Sequence, residues 1–189
     1  MSISIEQQIG QLIIAGFRGM EVDPESNIAK YIQEYNIGGV ILYDEDLEIG
    51  GSGTRNIKSP NQVKELTSQL QSLADNSLLI SIDQEGGEVH RLRAVYGFDE
   101  TPSWNHIGLL KNELMTKQFS KSMANTLSNL GINLNFAPVL DVDHGAGTVI
   151  SDSKRAFSSD PKATLSTSVS KIFCLKDITY VKKLDIRFL

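Results

Sequence analysis

The chain has 189 residues, 40% hydrophobic and 22% charged, enough to bury a sizeable core and read most simply as one globular domain. A formal charge of −5 without a block of like charge argues against a nucleic-acid partner, and a single cysteine, Cys174, excludes an intrachain disulfide framework. The one early apolar stretch, Leu12 to Phe17, has no Lys or Arg before it and is far shorter than the about 20 residues of a membrane helix, so a cytoplasmic protein with no membrane partner is expected.

In chain order, strand and helix patterns alternate. The run Leu12 to Phe17 predicts a first strand. Asp23-Pro24 reads as an N-cap with proline at the first helical position, and Ile28, Tyr31, Ile32 and Tyr35 give the following helix one inward face. Asn36-Ile37-Gly38-Gly39 ends that helix, and Val40-Ile41-Leu42-Tyr43 predicts a strand buried on both faces. The polar stretch from Asp44 to Lys58 contains Gly50-Gly51-Ser52-Gly53. It lacks the Gly-Lys-Ser/Thr ending of a P-loop, so a flexible surface loop is expected there. Ser59-Pro60-Asn61-Gln62 predicts a capping box opening a helix with Val63, Leu66, Leu70 and Leu73 inward.

Leu78 to Arg91, LLISIDQEGGEVHR, is the most informative stretch. Its apolar opening predicts a third strand, which changes character abruptly at Asp83-Gln84-Glu85 and turns at Gly86-Gly87 before His90 and Arg91. Parallel α/β folds bind ligands at the carboxyl ends of strands, so polar groups concentrated there point to a site. Further on, Trp104 is expected in the core. Met115, Phe119, Met123 and Leu127 mark the packing stripe of a long helix that stops at Gly131. Ile132 to Leu140 predicts a fourth strand ending at Asp141. Asp160-Pro161 opens a last helix with Leu165, Val169, Ile172 and Phe173 inward. The expected architecture is α/β, with about four parallel strands and helices between them. Four strands in about 140 residues are half of an eight-stranded barrel, which takes about 250.

The segment Asp83-Gln84-Glu85-Gly86-Gly87-x-Val89-x-Arg91-Leu92 resembles the motif of family 3 glycoside hydrolases. Ile9 to Phe17 and Ile37 to Leu42 are similar to that family's first two strands, Gly131 to Val142 to its fourth, and Arg155-Ala156-Phe157-Ser158-Ser159-Asp160-Pro161 to a later element. The first two strands look more like the β-N-acetylglucosaminidase branch than the β-glucosidase branch. The resemblance implies the N-terminal half of a (β/α)8 TIM-type barrel over residues 1–173. It also implies hydrolysis of terminal β-linked N-acetylglucosamine with retention, in carbohydrate or cell-wall glycan metabolism, without a cofactor or metal.

Under that resemblance Asp83, Arg91 and Arg155 are substrate-binding residues, since carboxylates and guanidinium forks offer several fixed hydrogen-bonding atoms to ring hydroxyls. The bland alternative for each arginine is a structural ion pair, with Glu85 a carboxylate that orients Arg91. Asp83 and Glu85 have the spacing of a catalytic pair on one strand face, but the family does not use them so. Glu88 stands where the family usually has arginine. No catalytic residue is assigned: the family's Lys-His-Phe-Pro-Gly-His-Gly segment, its His-Asp acid/base dyad and its aspartate nucleophile have no counterpart in these 189 residues, and residues 174–189 resemble nothing in the family. His90, His106 and His144 do not match the acid/base position. The expectation is therefore a half-barrel lacking both catalytic groups. Its alternative is a non-catalytic sugar-binding or self-associating half-barrel; an unrelated phosphate-ligand enzyme is weaker still, for want of a phosphate motif.

Overall fold

The structure, a computed structural model, describes residues 4–166. Four strands form one sheet in the order β1-β2-β3-β4, every neighbouring pair parallel. This bears out the expected α/β architecture. By contacts the chain divides into two compact units. The first takes the chain up to Asp83 with Arg91–Asp99 and Asn129–Asn135, and so holds the whole sheet; the second takes Gln84–His90, Glu100–Ser128 and the chain from Phe136 on.

The first unit opens with an element the apolar pattern did not reveal. Helix α1 (Ile5–Gly10) is nucleated by a reciprocal box in which Ser4 Oγ accepts from the Gln7 amide and Gln7 Oε1 accepts from the Ser4 amide. Ile9-Gly10, expected to lead into the first strand, is thus helical, and β1 contracts to Ile14–Gly16. Gly10 is fixed by close approach: a Cβ there would stand 1.8 Å from the Tyr35 carbonyl oxygen.

Helix α2 (Asn27–Gln33) is capped by Ser26, whose Oγ accepts from the Ala29 amide. Asp23-Pro24 forms the preceding turn instead of the expected cap: Asp23 Oδ1 and carbonyl accept from the amides of Glu25 and Ser26. Ile28 and Ile32 are buried as expected, but Tyr31 and Tyr35 are 40% and 59% exposed. Their rings lie 6.0 Å apart, covering each other in place of a core neighbour.

Strand β2 (Gly39–Leu42) pairs with β3 (Leu79–Ile82) over four residues, and Val40, Leu42, Ile80 and Ile82 are fully buried. Each such side chain contributes about 1.5–3 kcal/mol relative to exposure, which makes this pair the centre of the sheet. Between them α3 (Pro60–Leu73) starts at Ser59, whose Oγ accepts from Gln62 N, and buries Val63, Leu66 and Leu70. The box is incomplete, because Gln62 Oε1 reaches back to Lys58 N and not to Ser59.

Strand β4 is two residues, Leu134–Asn135, where a longer strand was expected. Asn133 accounts for this. Its Oδ1 accepts from Ile80 N and its Nδ2 donates to Leu78 O, so a side-chain amide does at that step what a strand backbone would. Phe136, within the expected strand, follows β4 and is 46% exposed.

In the second unit α4 (Trp104–Leu110) is capped by Ser103, and Trp104 is buried, its ring centroid 4.9 Å from that of Phe157. Helix α5 (Glu113–Asn129) buries Thr116, Ser120, Met123, Ala124 and Leu127. The expected stripe is rotated, leaving Met115 and Phe119 half-buried while two hydroxyls turn inward, each bonded to a carbonyl four residues back. After the short α6 (Val149–Asp152), helical backbone resumes at Pro161, with Asp160 Oδ1 accepting from Lys162 N. Leu165 is 62% exposed and not inward. Val169, Ile172, Phe173 and the 174–189 segment lie outside the described residues.

Candidate functional site

The carboxyl ends of β1, β2 and β3 gather charged groups within the first unit. Two apolar strands end alike: β3 gives way to Asp83, and β2 gives way to Tyr43 and Asp44. The Asp83 side chain is 27% exposed and its Oδ2 lies 3.7 Å from Arg91 Nη2. Arg91 reaches in the other direction to Asp44, with Nη1 to Oδ1 at 3.8 Å.

Asp44 is the buried member of the group, its side chain only 1% exposed. A carboxylate so placed needs countercharge. Arg93 Nε supplies it at 2.6 Å, Arg91 adds a longer contact, and the Tyr96 hydroxyl donates at 3.4 Å. Burial raises the Tyr96 pKa above the ordinary phenol value, which keeps that hydroxyl protonated as a donor. Arg93 also reaches Glu45, at 3.5 Å. The Arg91 and Arg55 guanidinium carbons lie 5.5 and 5.0 Å from the Tyr43 ring centroid, within cation–π range of the same ring.

The stretch from Asp44 to Lys58, expected as a flexible surface loop, is pinned. Asn56 is fully buried: its backbone amide donates to the Tyr43 carbonyl, its Oδ1 accepts from the Tyr43 amide, and its Nδ2 donates to the carbonyls of Phe17 and Gly19. Thr54 Oγ1 accepts from Asp46 N, and Asp46 makes a two-point pair with Arg18. That hydrogen bond and charge hold Asp46 well below the usual carboxylate range, at about 2. Sequence reading missed Asp44, Asp46, Arg93 and Asn56. The signal for Asp44 was available, because it follows an unbroken apolar strand just as Asp83 does.

In the second unit the backbone turns sharply after Gln84. The amides of Glu85 and Gly86 both donate to Val89 O at 3.0 Å, and Gly87 N donates to Thr101 O. Gly86 has φ 111°, and a Cβ there would stand 2.3 Å from Pro102 O, so glycine is required on both counts. The turn sets the Glu85 carboxylate, 4% exposed, against Arg155 in a fork: Nε to Oε2 at 2.8 Å and Nη2 to Oε1 at 2.6 Å. Arg155 thus engages the carboxylate on both oxygens. Glu88 is exposed.

Asp83 Oδ2 and Arg91 Nη2 are 3.7 Å apart, an ion-pair distance longer than a hydrogen bond.

Comparison with known proteins decides the family. Residues 4–183 match the glycosyl hydrolase family 3 N-terminal domain. The chain belongs to this family. A β-hexosaminidase of Thiobacillus denitrificans is 34% identical over 147 residues, which cover 75% of this chain and 37% of that protein. Among solved structures, a family 3 β-N-acetylglucosaminidase from Paenibacillus sp. FPU-7 superposes with a TM-score of 0.80 at 33% identity, covering 94% of this chain and 32% of that one. NagZ from Neisseria gonorrhoeae, solved in complex with N-trifluoroacetyl-D-glucosamine, gives 0.74 at 29% identity, covering 87% and 46%. The chain thus spans less than half the length of each of these family 3 proteins. Its four parallel strands with intervening helices are those of the family's barrel-like N-terminal domain. Among the described residues no helix is long and apolar enough to cross a membrane.

Proposed function

We propose that this chain carries sugar-binding machinery of a family 3 β-N-acetylhexosaminidase, with Asp83, Arg91 and Arg155 as substrate-binding residues. The observation that carries the reading is the Asp83–Arg91 ion pair at the end of β3, 3.7 Å apart beside a buried carboxylate that steadies the arginine. A pyranose hydroxyl placed there donates to Asp83 and accepts from Arg91. Support for N-acetylglucosamine as the sugar comes from the family and from the relatives, one of them a β-N-acetylglucosaminidase and another complexed with an N-acylated glucosamine. Arg155 enters through its motif, with Glu85 fixing its fork. A cytoplasmic role in cell-wall glycan turnover and peptidoglycan recycling belongs to the same reading.

Retaining hydrolysis needs a nucleophile and an acid/base on opposite sides of the scissile bond. The family segments that supply them have no match in these 189 residues, so this chain binds without turnover. The test pairs calorimetric titration of N-acetylglucosamine, with glucose as comparison, and an assay of aryl β-N-acetylglucosaminide hydrolysis. Saturable binding selective for the N-acetyl sugar, with aryl release no faster than a buffer blank, is expected. Absence of binding defeats the sugar reading, and turnover abolished by Asp83→Ala defeats the assignment of catalysis elsewhere.

A further inference from the structure

A second polar feature of the first unit lies outside the group around Asp83. A cavity of about 300 Å³ opens between the end of β1 and the start of α2, near the lower end of the range for small-ligand pockets. Its lining includes Gly16, Arg18, Ser26, Asn27, Tyr31 and Arg55. No carboxylate lines it, whereas two guanidinium groups, a hydroxyl, an amide and a phenol do.

Arg55 is the group with capacity to spare. Its Nε donates to Phe17 O at 2.9 Å and its plane lies against Tyr43, which together fix the direction of the fork. Among the described residues its two terminal amino groups make no hydrogen bond, and no carboxylate comes within ion-pair distance of it. The nearby Asp46 is already engaged by Arg18 at two points and does not line the cavity. The seat is shaped for the fork: a Cβ at Gly16 would stand 3.1 Å from Arg55 Nη2. Ser26 Oγ accepts from Ala29 N, which leaves its proton to donate.

We infer that this cavity binds a compact oxyanion, a carboxylate or phosphate group of a small ligand, through the terminal amino groups of Arg55, with Ser26, Asn27 and Tyr31 as neutral donors around it. A guanidinium fork matches both anions because each offers two coplanar oxygens at its spacing. The inference goes beyond the sugar reading and uses neither Asp83 nor Arg91.

The test is a nitrogen-15 NMR titration of the full chain with inorganic phosphate and, separately, with acetate, each at ionic strength held constant by chloride. Saturable shifts of the Arg55 Nε–H and Gly16 amide signals with one or both anions are expected, and the anion that binds tighter names the ligand class. Arg55→Gln should weaken binding about tenfold or more, the consequence of losing charged hydrogen bonds, while Asp83→Ala leaves it unchanged even if that variant loses all sugar binding. Arg55→Lys, which keeps the charge without the fork, should bind more weakly than wild type and remains informative if the Gln variant does not fold. Failure of both anions to move Arg55 at tens of millimolar, or unchanged binding in Arg55→Gln, overturns the inference.

Discussion

Glu85 is held by Arg155 across seventy positions of sequence, through two hydrogen bonds of 2.8 and 2.6 Å. The carboxylate is 4% exposed and the arginine 24%, so the buried member depends on the more exposed one. Removing the arginine strands a buried charge, whereas removing both relieves it. Arg155→Ala is expected to cost about 2–3 kcal/mol, and the double variant Glu85→Leu/Arg155→Ala to recover much of that. Urea denaturation of both checks it; an Arg155→Ala loss below about 0.5 kcal/mol, the level of an ordinary surface change, would show that the pair carries no structural weight.

Asp44 makes a similar prediction for the first unit. Asp44→Asn keeps the shape but removes the charge that faces Arg93 at 2.6 Å and Arg91 at 3.8 Å. Loss of about 2–4 kcal/mol of stability is expected, together with weaker N-acetylglucosamine binding as Arg91 loses one of its anchors. A variant with normal stability and unchanged affinity would show that Asp44 does not position Arg91.

Acid titration tests the Arg18–Asp46 pair. The hydrogen bond and charge of Arg18 lower the Asp46 pKa from an unperturbed 3.8 to about 2. A depressed carboxylate contributes stability that is fully present above its unfolded pKa and is lost as pH falls through the folded one. Stability should therefore decline between about pH 4 and pH 2, and the decline should be shallower in Asp46→Asn. Denaturation midpoints measured across that range in both proteins check this, and parallel curves would contradict it.

The β1 edge leads to a prediction about association. Ile5, Ile9, Leu12, Ile13 and Ile14 are all between 37% and 86% exposed along α1 and β1. An apolar stretch beside a strand edge that is unpaired among the described residues invites pairing with a second copy of the chain. Light scattering after size exclusion should show dimers or larger species at tens of micromolar, and Ile13→Lys should shift them toward monomer. A cooperatively unfolding wild-type monomer would contradict the expectation.

The central sheet was legible because β2 and β3 are short apolar runs buried on both faces, a pattern that depends on little beyond the residues themselves. The elements that were missed or misplaced depended on side-chain hydrogen bonds. Helix α1 is set by the exchange between Ser4 and Gln7, and its one apolar pair, Ile5 and Ile9, is exposed and too short a stripe to announce it. The length of β4 is decided by Asn133, whose amide replaces a step of the ladder. The start of α2 shifted because the Asp23 carboxylate closes a turn and leaves the cap to Ser26. At the site, the polar ends of the strands pointed to Asp83. Asp44 carried the same strand-end signal but went unread, and Arg93 stayed hidden because its pairing with a buried charge forty-nine positions away is recognisable only once the two are brought together.

The proposal that Asp83 and Arg91 receive a sugar hydroxyl is tested most directly by one calorimetric comparison, N-acetylglucosamine titrated into wild type and into Asp83→Ala. Asp83 is 27% exposed at the end of β3, so its truncation should leave the fold intact and remove a charged hydrogen bond to the ligand. The expected result is saturable binding by wild type and a loss of roughly 1.5–3 kcal/mol, about ten- to a hundredfold in affinity, in the variant. Equal affinity in the two proteins, or no binding by a folded wild type, would contradict it.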